Sequence, residues 1–555
     1  MRRSVAGLST LAIGAGLAVS VPAPAAANDY RTVTRDGIVL QHYRVAKATT
    51  PVKGTGPTRS DFDGDGIDDI AASADPFEHR FPQSPMGLVV VRYSSAPYVD
   101  HFATGVTPAG GCVCFGEVLA AGDFNGDGYD DLAAADLGEY DLSAKANAGG
   151  VWVIPGSSTG LRIDAAKHFN QSSPGVPGAS EEGDWFGSAL AAGDINGDGR
   201  DDLAIGAYGE AIGSITYAGA VTVLYGGASG LTGTGAQQLH QNQAAVPGSA
   251  ERNDHFGWTL AIGKVNDNKY ADLVIGAPGE NENSSSTGSG MLTLMWGSAN
   301  GVKLSGATSV TGAALRKATG RTDSYVRSLG MALAIGDVNG DKLGEVIAGA
   351  PYTQSPKGNE GMVAVFTGRS GGAGLSSSAV KMFSQRTPGV PGSAEVGDLF
   401  GATLAVGDVT GDGRADVLVG APGEAIGTKK RAGTVALLKG SASGLTGTGA
   451  QGFDQDHPVV PGGAESNDLF GGAVAILNLD GRGPLDAVVT SPGELVGADP
   501  ERPASGSVAL FHGGSGGLVP QTASWSGASM RTDFVWPKWY GRRLATAQSG
   551  ALMYH

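Results

Sequence analysis

Two cysteines in 555 residues, Cys112 and Cys114, are too few for a disulfide framework or a thiolate metal centre. Spaced as CxC, they leave a strained local disulfide and two free thiols equally open. Histidine is scarce, with nine residues scattered at no metal-ligand spacing. Positive charge is the minority sign, and 38 Lys and Arg against 54 Asp and Glu leave a net charge of −16. That excess argues against nucleic acid as a partner. Past the N-terminus no apolar run is long enough to cross a bilayer. No Walker loop, HExxH or RGD occurs. The run GGSGG at 513–517 fits the GxSxG pattern of serine hydrolases. GSASG at 440–444 and GGASG at 226–230 share its register, so it reads as a hairpin turn. No catalytic residue is expected.

What is abundant is glycine, 92 residues, and an acidic nine-residue loop that returns at intervals of 62 to 73 residues. It starts at Asp61 (DFDGDGIDD), Asp123 (DFNGDGYDD), Asp194 (DINGDGRDD), Lys264 (KVNDNKYAD), Asp337 (DVNGDKLGE), Asp408 (DVTGDGRAD) and Asn478 (NLDGRGPLD). Five copies are intact and present side-chain oxygens at positions 1, 3, 5 and 9. These are Asp61, Asp63, Asp65 and Asp69; Asp123, Asn125, Asp127 and Asp131; Asp194, Asn196, Asp198 and Asp202; Asp337, Asn339, Asp341 and Glu345; Asp408, Thr410, Asp412 and Asp416. The backbone carbonyls of Ile67, Tyr129, Arg200, Leu343 and Arg414 would fill position 7. Oxygen ligands at alternate positions of a tight loop suit a hard cation taking six to eight oxygens, which predicts about five Ca²⁺ sites. Magnesium asks for stricter octahedral geometry, and zinc for His or Cys that the loop lacks. A metal-free Asx-rich turn is the alternative. Against it stand several like charges within nine residues, which repel unless neutralised.

Two loops depart from the pattern. Lys264 replaces the first acid of the fourth loop, and Arg482 stands at position 5 of the seventh. The expectation is that each tethered cation takes the place of the metal beside Asp272 and Asp486, with an ordinary solvated turn as the alternative.

A fixed period over most of the chain signals a repeat architecture. The third repeat shows its grammar, with strands expected over 186–193, 202–207 and 219–225 and a less regular fourth. Four short strands in each of seven units predict an all-β, seven-bladed propeller. The repeats fall at 53–114, 115–184, 185–254, 255–327, 328–398, 399–468 and 469–538 of a propeller spanning 53–555. Residues 28–52 form a short preceding segment with one strand over 38–45. The first repeat lacks a good inner strand, while YGRRLATA at 540–547 begins a repeat that never continues. The C-terminal strand, 539–547, is therefore expected to complete the blade carrying Asp61 and close the ring. Strand alternation puts the acidic loops on one face and the long second-to-third connections on the other. The second face carries a recurring glutamate (Glu139, Glu210, Glu280, Glu424 and Glu494), either a charged ring for a partner or an internal hydrogen-bond acceptor.

Phe256-Gly257 before a loop with Gly276-Ala277-Pro278 after it, and Phe400-Gly401 with Gly420-Ala421-Pro422, resemble the FG-GAP repeat of integrin α-chain propellers and their secreted bacterial relatives. The resemblance implies calcium loops on one face and points to an integrin-like binding or adhesion module for a protein or glycan. A glycan-active hydrolase or lyase built on the propeller is the alternative, since one fold hosts many functions. Residues 1–27, with Arg2, Arg3, an apolar run and small residues at 25–27, read as a secretory signal, so an extracellular monomer without a membrane span is expected.

Overall fold

The computed structural model describes residues 29–46, 54, 58–76, 87–94, 96, 98–104, 115–281, 288–318, 326–355, 358–372, 374–495, 506–526, 537–538 and 542–545. The expected signal segment and both cysteines lie outside the described residues.

Seven antiparallel sheets radiate around a ring. The third blade is typical, with strands Ala189–Gly193, Asp202–Ala207, Ala220–Tyr225 and Thr232–Leu239 pairing in sequence order. Blades 4, 6 and 7 repeat this order, beginning at Thr259–Gly263, Thr403–Gly407 and Val474–Leu477. Blades 2 and 5 keep it from Phe115–Gly122 and Ala332–Gly336, with a two-stranded hairpin inserted on the second-to-third connection. The second strand of blade 3, DLAIGA, is buried along its whole length because blades cover both of its faces. The fourth strand, TGTGAQQL, lies at the rim and is only partly buried.

Blade 1 is completed from both ends of the chain. Its own strands, Ile70–Pro76, Leu88–Arg92 and Tyr98–Thr104, receive Leu544 on the inner side in an antiparallel bridge to Ala72. Ser73 N–H donates to the Arg543 carbonyl at 3.1 Å, and Ala545 N–H to the Ala71 carbonyl at 2.9 Å. Arg542 pairs with Glu117 of blade 2 at 3.0 Å. The ring thus closes on C-terminal residues. On the outer side an N-terminal hairpin, Asp29–Arg35 and Ile38–Ala46, pairs with Tyr98–Thr104, and the short strand Pro537–Lys538 beside Ile70–Pro76 brings the sheet to six strands. The single strand expected there is one arm of this hairpin.

Buried charges anchor the hairpin. Arg44 grips Asp100 with two hydrogen bonds of 2.6 Å, and Tyr93 donates to the same carboxylate at 2.8 Å. Burial alone would raise the Asp100 carboxyl, but hydrogen bonds from Arg44 and His42 hold it below the usual range. At the hairpin turn, Asp36 meets His168 Nδ1 of blade 2 at 2.9 Å, while His168 Nε2 meets the buried Glu139 at 2.8 Å. Burial would lower the His168 pKa, yet these two carboxylates push it up to about 10.

The paired FG and GAP signatures have a steric origin. A Cβ on Gly206 would lie 2.1 Å from the carbonyl oxygen of Gly257 in the next blade. The same approach joins Gly276 to Gly330, Gly349 to Gly401 and Gly420 to Gly471, at 2.0–2.5 Å. The glycine after the apolar run of one blade therefore seats the Phe-Gly backbone of the next, and Phe186, Phe256, Phe400 and Phe470 fill the core beside it.

Candidate metal centre

In all five intact loops the first aspartate acts as a backbone cradle. Its two oxygens accept the N–H groups of positions 4, 5 and 6 at 2.6–3.2 Å, where glycines, and Lys342 in the loop of Asp337, supply the left-handed turn. Position 5 then accepts the N–H of position 7, fixing Ile67, Tyr129, Arg200, Leu343 and Arg414 at 2.9–3.0 Å. The ninth-position carboxylate is buried in every loop. It receives an N–H from the turn after the third strand, as in Gly226 to Asp202 at 2.9 Å and Gly440 to Asp416 at 2.9 Å. Both turns therefore share one face.

Loop 1 lacks an internal donor at its centre. Asp61, Asp63 and Asp69 each place a carboxylate oxygen within 4.8 Å of the others, and Asp63 Oδ1 is buried without a hydrogen-bond partner. Burial, then the neighbouring Asp65 and Asp61, push the Asp63 carboxyl up to about 7. That arrangement fits a divalent cation. In loops 3 and 5 an asparagine at position 3 relieves the crowding, and Asn339 Nδ2 donates to Glu345 at 2.8 Å. Asn196 does the same more weakly toward Asp202, at 3.5 Å. Thr410 turns its hydroxyl to Asp408 at 3.3 Å. Burial still raises Asp131 to about 8 and Asp202 and Glu345 to about 7.

The expected substitution of a tethered cation for metal does not occur. Lys264 is exposed, and the Asn266 amide donates to Asp272 at 3.3 Å. Arg482 is also exposed, and His512 Nδ1 meets Asp486 at 3.0 Å. Both long side chains gain more from water than from a desolvated loop centre, where a short amide or imidazole already serves the acid.

Sequence reasoning missed the role of position 8. Its N–H donates to the position-1 carbonyl of the preceding loop in every blade: Asp130 to Asp61, Asp201 to Asp123, Ala271 to Asp194, Gly344 to Lys264, Ala415 to Asp337, Leu485 to Asp408, and Asp68 back to Asn478, all at 2.6–3.0 Å. Seven loops thus form a closed hydrogen-bonded ring. In the first three loops the position-8 aspartate also accepts a backbone N–H from the preceding loop, as Asp130 does from Asp61 at 2.8 Å. The adjacent Asp-Asp pairs in these loops were the only available signal.

On the opposite face the recurring glutamates are buried and belong to the fold. Gln171, Gln241, Gln385 and Gln455 donate to Glu210, Glu280, Glu424 and Glu494, always from 39 residues earlier. Glu139 holds His168 instead. The same face bears an aromatic array absent from the sequence expectations. Trp185 stacks nearly parallel to Tyr208 (7°, centroids 6.3 Å apart), and Tyr208 packs on Trp258 at 4.6 Å. Trp185 and His255, each just before Phe-Gly, sit at φ of 57° and 56°. That left-handed backbone costs a non-glycine residue about 1 kcal/mol. A cleft of about 470 Å³ opens beside the array, lined by Asn253, His255, Trp258, Arg327, Met331 and Tyr352.

Ring, paired glycines and acidic loops together define a repeat-built β-propeller. The FG-GAP repeat matches at residues 115–154, 186–224, 329–366 and 400–438, so four of the blades carry FG-GAP repeats. It is 34% identical to phosphatidylinositol-glycan-specific phospholipase D of Bos taurus over 164 residues, 29% of this chain and 18% of the relative. It is 28% identical to integrin alpha pat-2 of Caenorhabditis briggsae over 249 residues, 42% of this chain and 18% of the relative. To integrin alpha-3 of Cricetulus griseus it is 31% identical over 166 residues, 29% and 14% of the two chains. The chain thus spans less than a fifth of each of these relatives. Among the described residues no helix is long and apolar enough to cross a membrane.

Proposed function

We propose that this protein is a secreted, calcium-stabilised binding module. Calcium rigidifies the loop face, and the opposite face engages a protein or glycan through the aromatic cleft. The observation that carries this reading is the cleft itself, lined by the aromatic Trp258 and Tyr352 together with the polar Asn253 and the cationic Arg327. Rigid aromatics beside polar groups are the usual composition of a recognition surface on a fixed scaffold. Similarity to integrin α chains supports a binding role, and the acidic loops support the cation. The five loops at Asp61, Asp123, Asp194, Asp337 and Asp408 are the proposed calcium sites.

The test is a glycan and protein array probed with the full chain, with calcium or with EDTA, beside Trp258→Ala. The expected result is capture of a defined partner without turnover, weakened at least tenfold by Trp258→Ala at unchanged melting temperature. Product formation from the captured partner, or capture indifferent to Trp258→Ala, would refute it.

A further inference from the structure

The face opposite the acidic loops carries a second type of carboxylate cluster. In blade 4, Glu251, Asp254 and Glu280 each place an oxygen within 4.8 Å of the others, and in blade 7 Glu465, Asp468 and Glu494 do the same. Both clusters are built alike. A link between blades brings in the first two acids, and the corner after the second strand brings in the third. Gly279 N–H donates to the Asp254 carbonyl at 3.2 Å, and Gly493 N–H to that of Asp468 at 3.0 Å, which fixes the corner to the link. The first glutamate faces water, while Asp254 and Asp468 are 0% and 1% exposed.

Among the described residues, one oxygen of the blade 4 cluster and one oxygen beside each cluster have no donor. Asp254 Oδ2 accepts the Glu251 N–H at 2.5 Å, but Asp254 Oδ1 is buried with no hydrogen-bond partner. Gln241, 2% exposed, donates its amide to Glu280 at 2.7 Å, and its own carbonyl oxygen is buried without a partner. Gln455 beside Glu494 repeats this arrangement, with its carbonyl oxygen equally unpartnered. Buried acceptors without donors are costly, and the surplus is negative. A cation resolves both problems, because one positive centre can serve several oxygens at once.

We propose that Glu251, Asp254 and Glu280, and equally Glu465, Asp468 and Glu494, form two divalent-cation sites of a kind separate from the nine-residue loops. An all-oxygen set with one water-facing ligand suits Ca²⁺, whose oxygens at about 2.4 Å span up to about 4.8 Å across the ion. Each ion would tie the link arriving from the preceding blade to the second-to-third corner of its own, beside the residues that line the blade 4 cleft.

Calcium alone is the probe. Bound ions are counted by native mass spectrometry on the full chain, on Glu280→Gln/Glu494→Gln, and on the loop variant Asp61→Asn/Asp63→Asn. The double glutamine variant is expected to lose two ions and the loop variant one. An unchanged count in the glutamine variant overturns the proposal and leaves the clusters sharing protons instead. If the loops bind nothing and the glutamine variant still loses two ions, the loop reading fails and this one stands. Should the glutamine variant not fold, anomalous diffraction from calcium-soaked wild-type crystals decides. A peak between Glu251, Asp254 and Glu280 supports the site, and no peak at saturating calcium overturns it.

Discussion

Replacing Gly206 by alanine tests whether the meeting of glycine with Phe-Gly backbone sets the spacing between blades. Gly206 lies within the strand Asp202–Ala207, outside the left-handed region, so alanine is locally allowed. Its Cβ would stand 2.1 Å from the Gly257 carbonyl oxygen, whereas real Cβ contacts stay beyond 3.0 Å. The oxygen cannot swing aside freely, because the Trp258 N–H of the same peptide unit is bonded to the His255 carbonyl at 3.0 Å. Blades 3 and 4 must therefore part by about 1 Å, across a core that includes Ala189, Val221, Phe256 and Leu260. Over-packing of this kind costs about 1–3 kcal/mol, and the entropy gained on replacing a strand glycine returns about 0.5–1 kcal/mol. The net expectation is a loss of about 1–2 kcal/mol. Gly463, with no atom within 4 Å of a built Cβ and no left-handed φ, is the control and should change by less than about 0.5 kcal/mol. Guanidinium unfolding with calcium present reads the difference. Equal midpoints for Gly206→Ala and Gly463→Ala would refute the steric account of the repeat.

Calcium removal should lower the melting temperature, since a site held at about 100 times its Kd contributes about 2.7 kcal/mol; calorimetry with and without EDTA measures this. In EDTA, stability should fall as pH rises from about 4 to 8. Asp131, Asp202 and Glu345 have pKa values raised in the folded state to about 8, 7 and 7, so the folded protein binds more protons than the unfolded one there. Saturating calcium should flatten that slope, and an identical slope in both media would count against metal at the loops. His168 has its window at higher pH: its pKa is raised to about 10, so its contribution is full below about 6.5 and lost as pH climbs through 10. His168→Ala should cost about 3–5 kcal/mol by leaving Glu139 buried and unpaired, and should speed proteolysis within the hairpin of residues 29–46.

Periodicity alone makes the architecture readable. A loop every 70 residues or so fixes the blade count, and a stray final strand fixes where the ring closes. The strand Asp202–Ala207 falls where expected because both blade faces demand an uninterrupted apolar run. The N-terminal hairpin is half visible, since its hold on blade 1 depends on pairs such as Arg44–Asp100, which no local pattern announces. Lys264 and Arg482 mislead because charge is matched along the sequence, whereas burial decides which group reaches a carboxylate. The aromatic cleft is invisible for a related reason. Trp185, Tyr208 and Trp258 come from different strand ends and meet only once the blades are set side by side.

The loop-to-loop hydrogen bonds have no first or last member. Asp68 donates to Asn478 just as Asp130 does to Asp61, although one contact joins residues 410 apart in the chain and the other 69. Each spoke is positioned by main-chain atoms that every residue but proline supplies, so the fourth and seventh loops keep their places with fewer acids. Any metal held at the loops would add rigidity to a hub that backbone alone has already drawn.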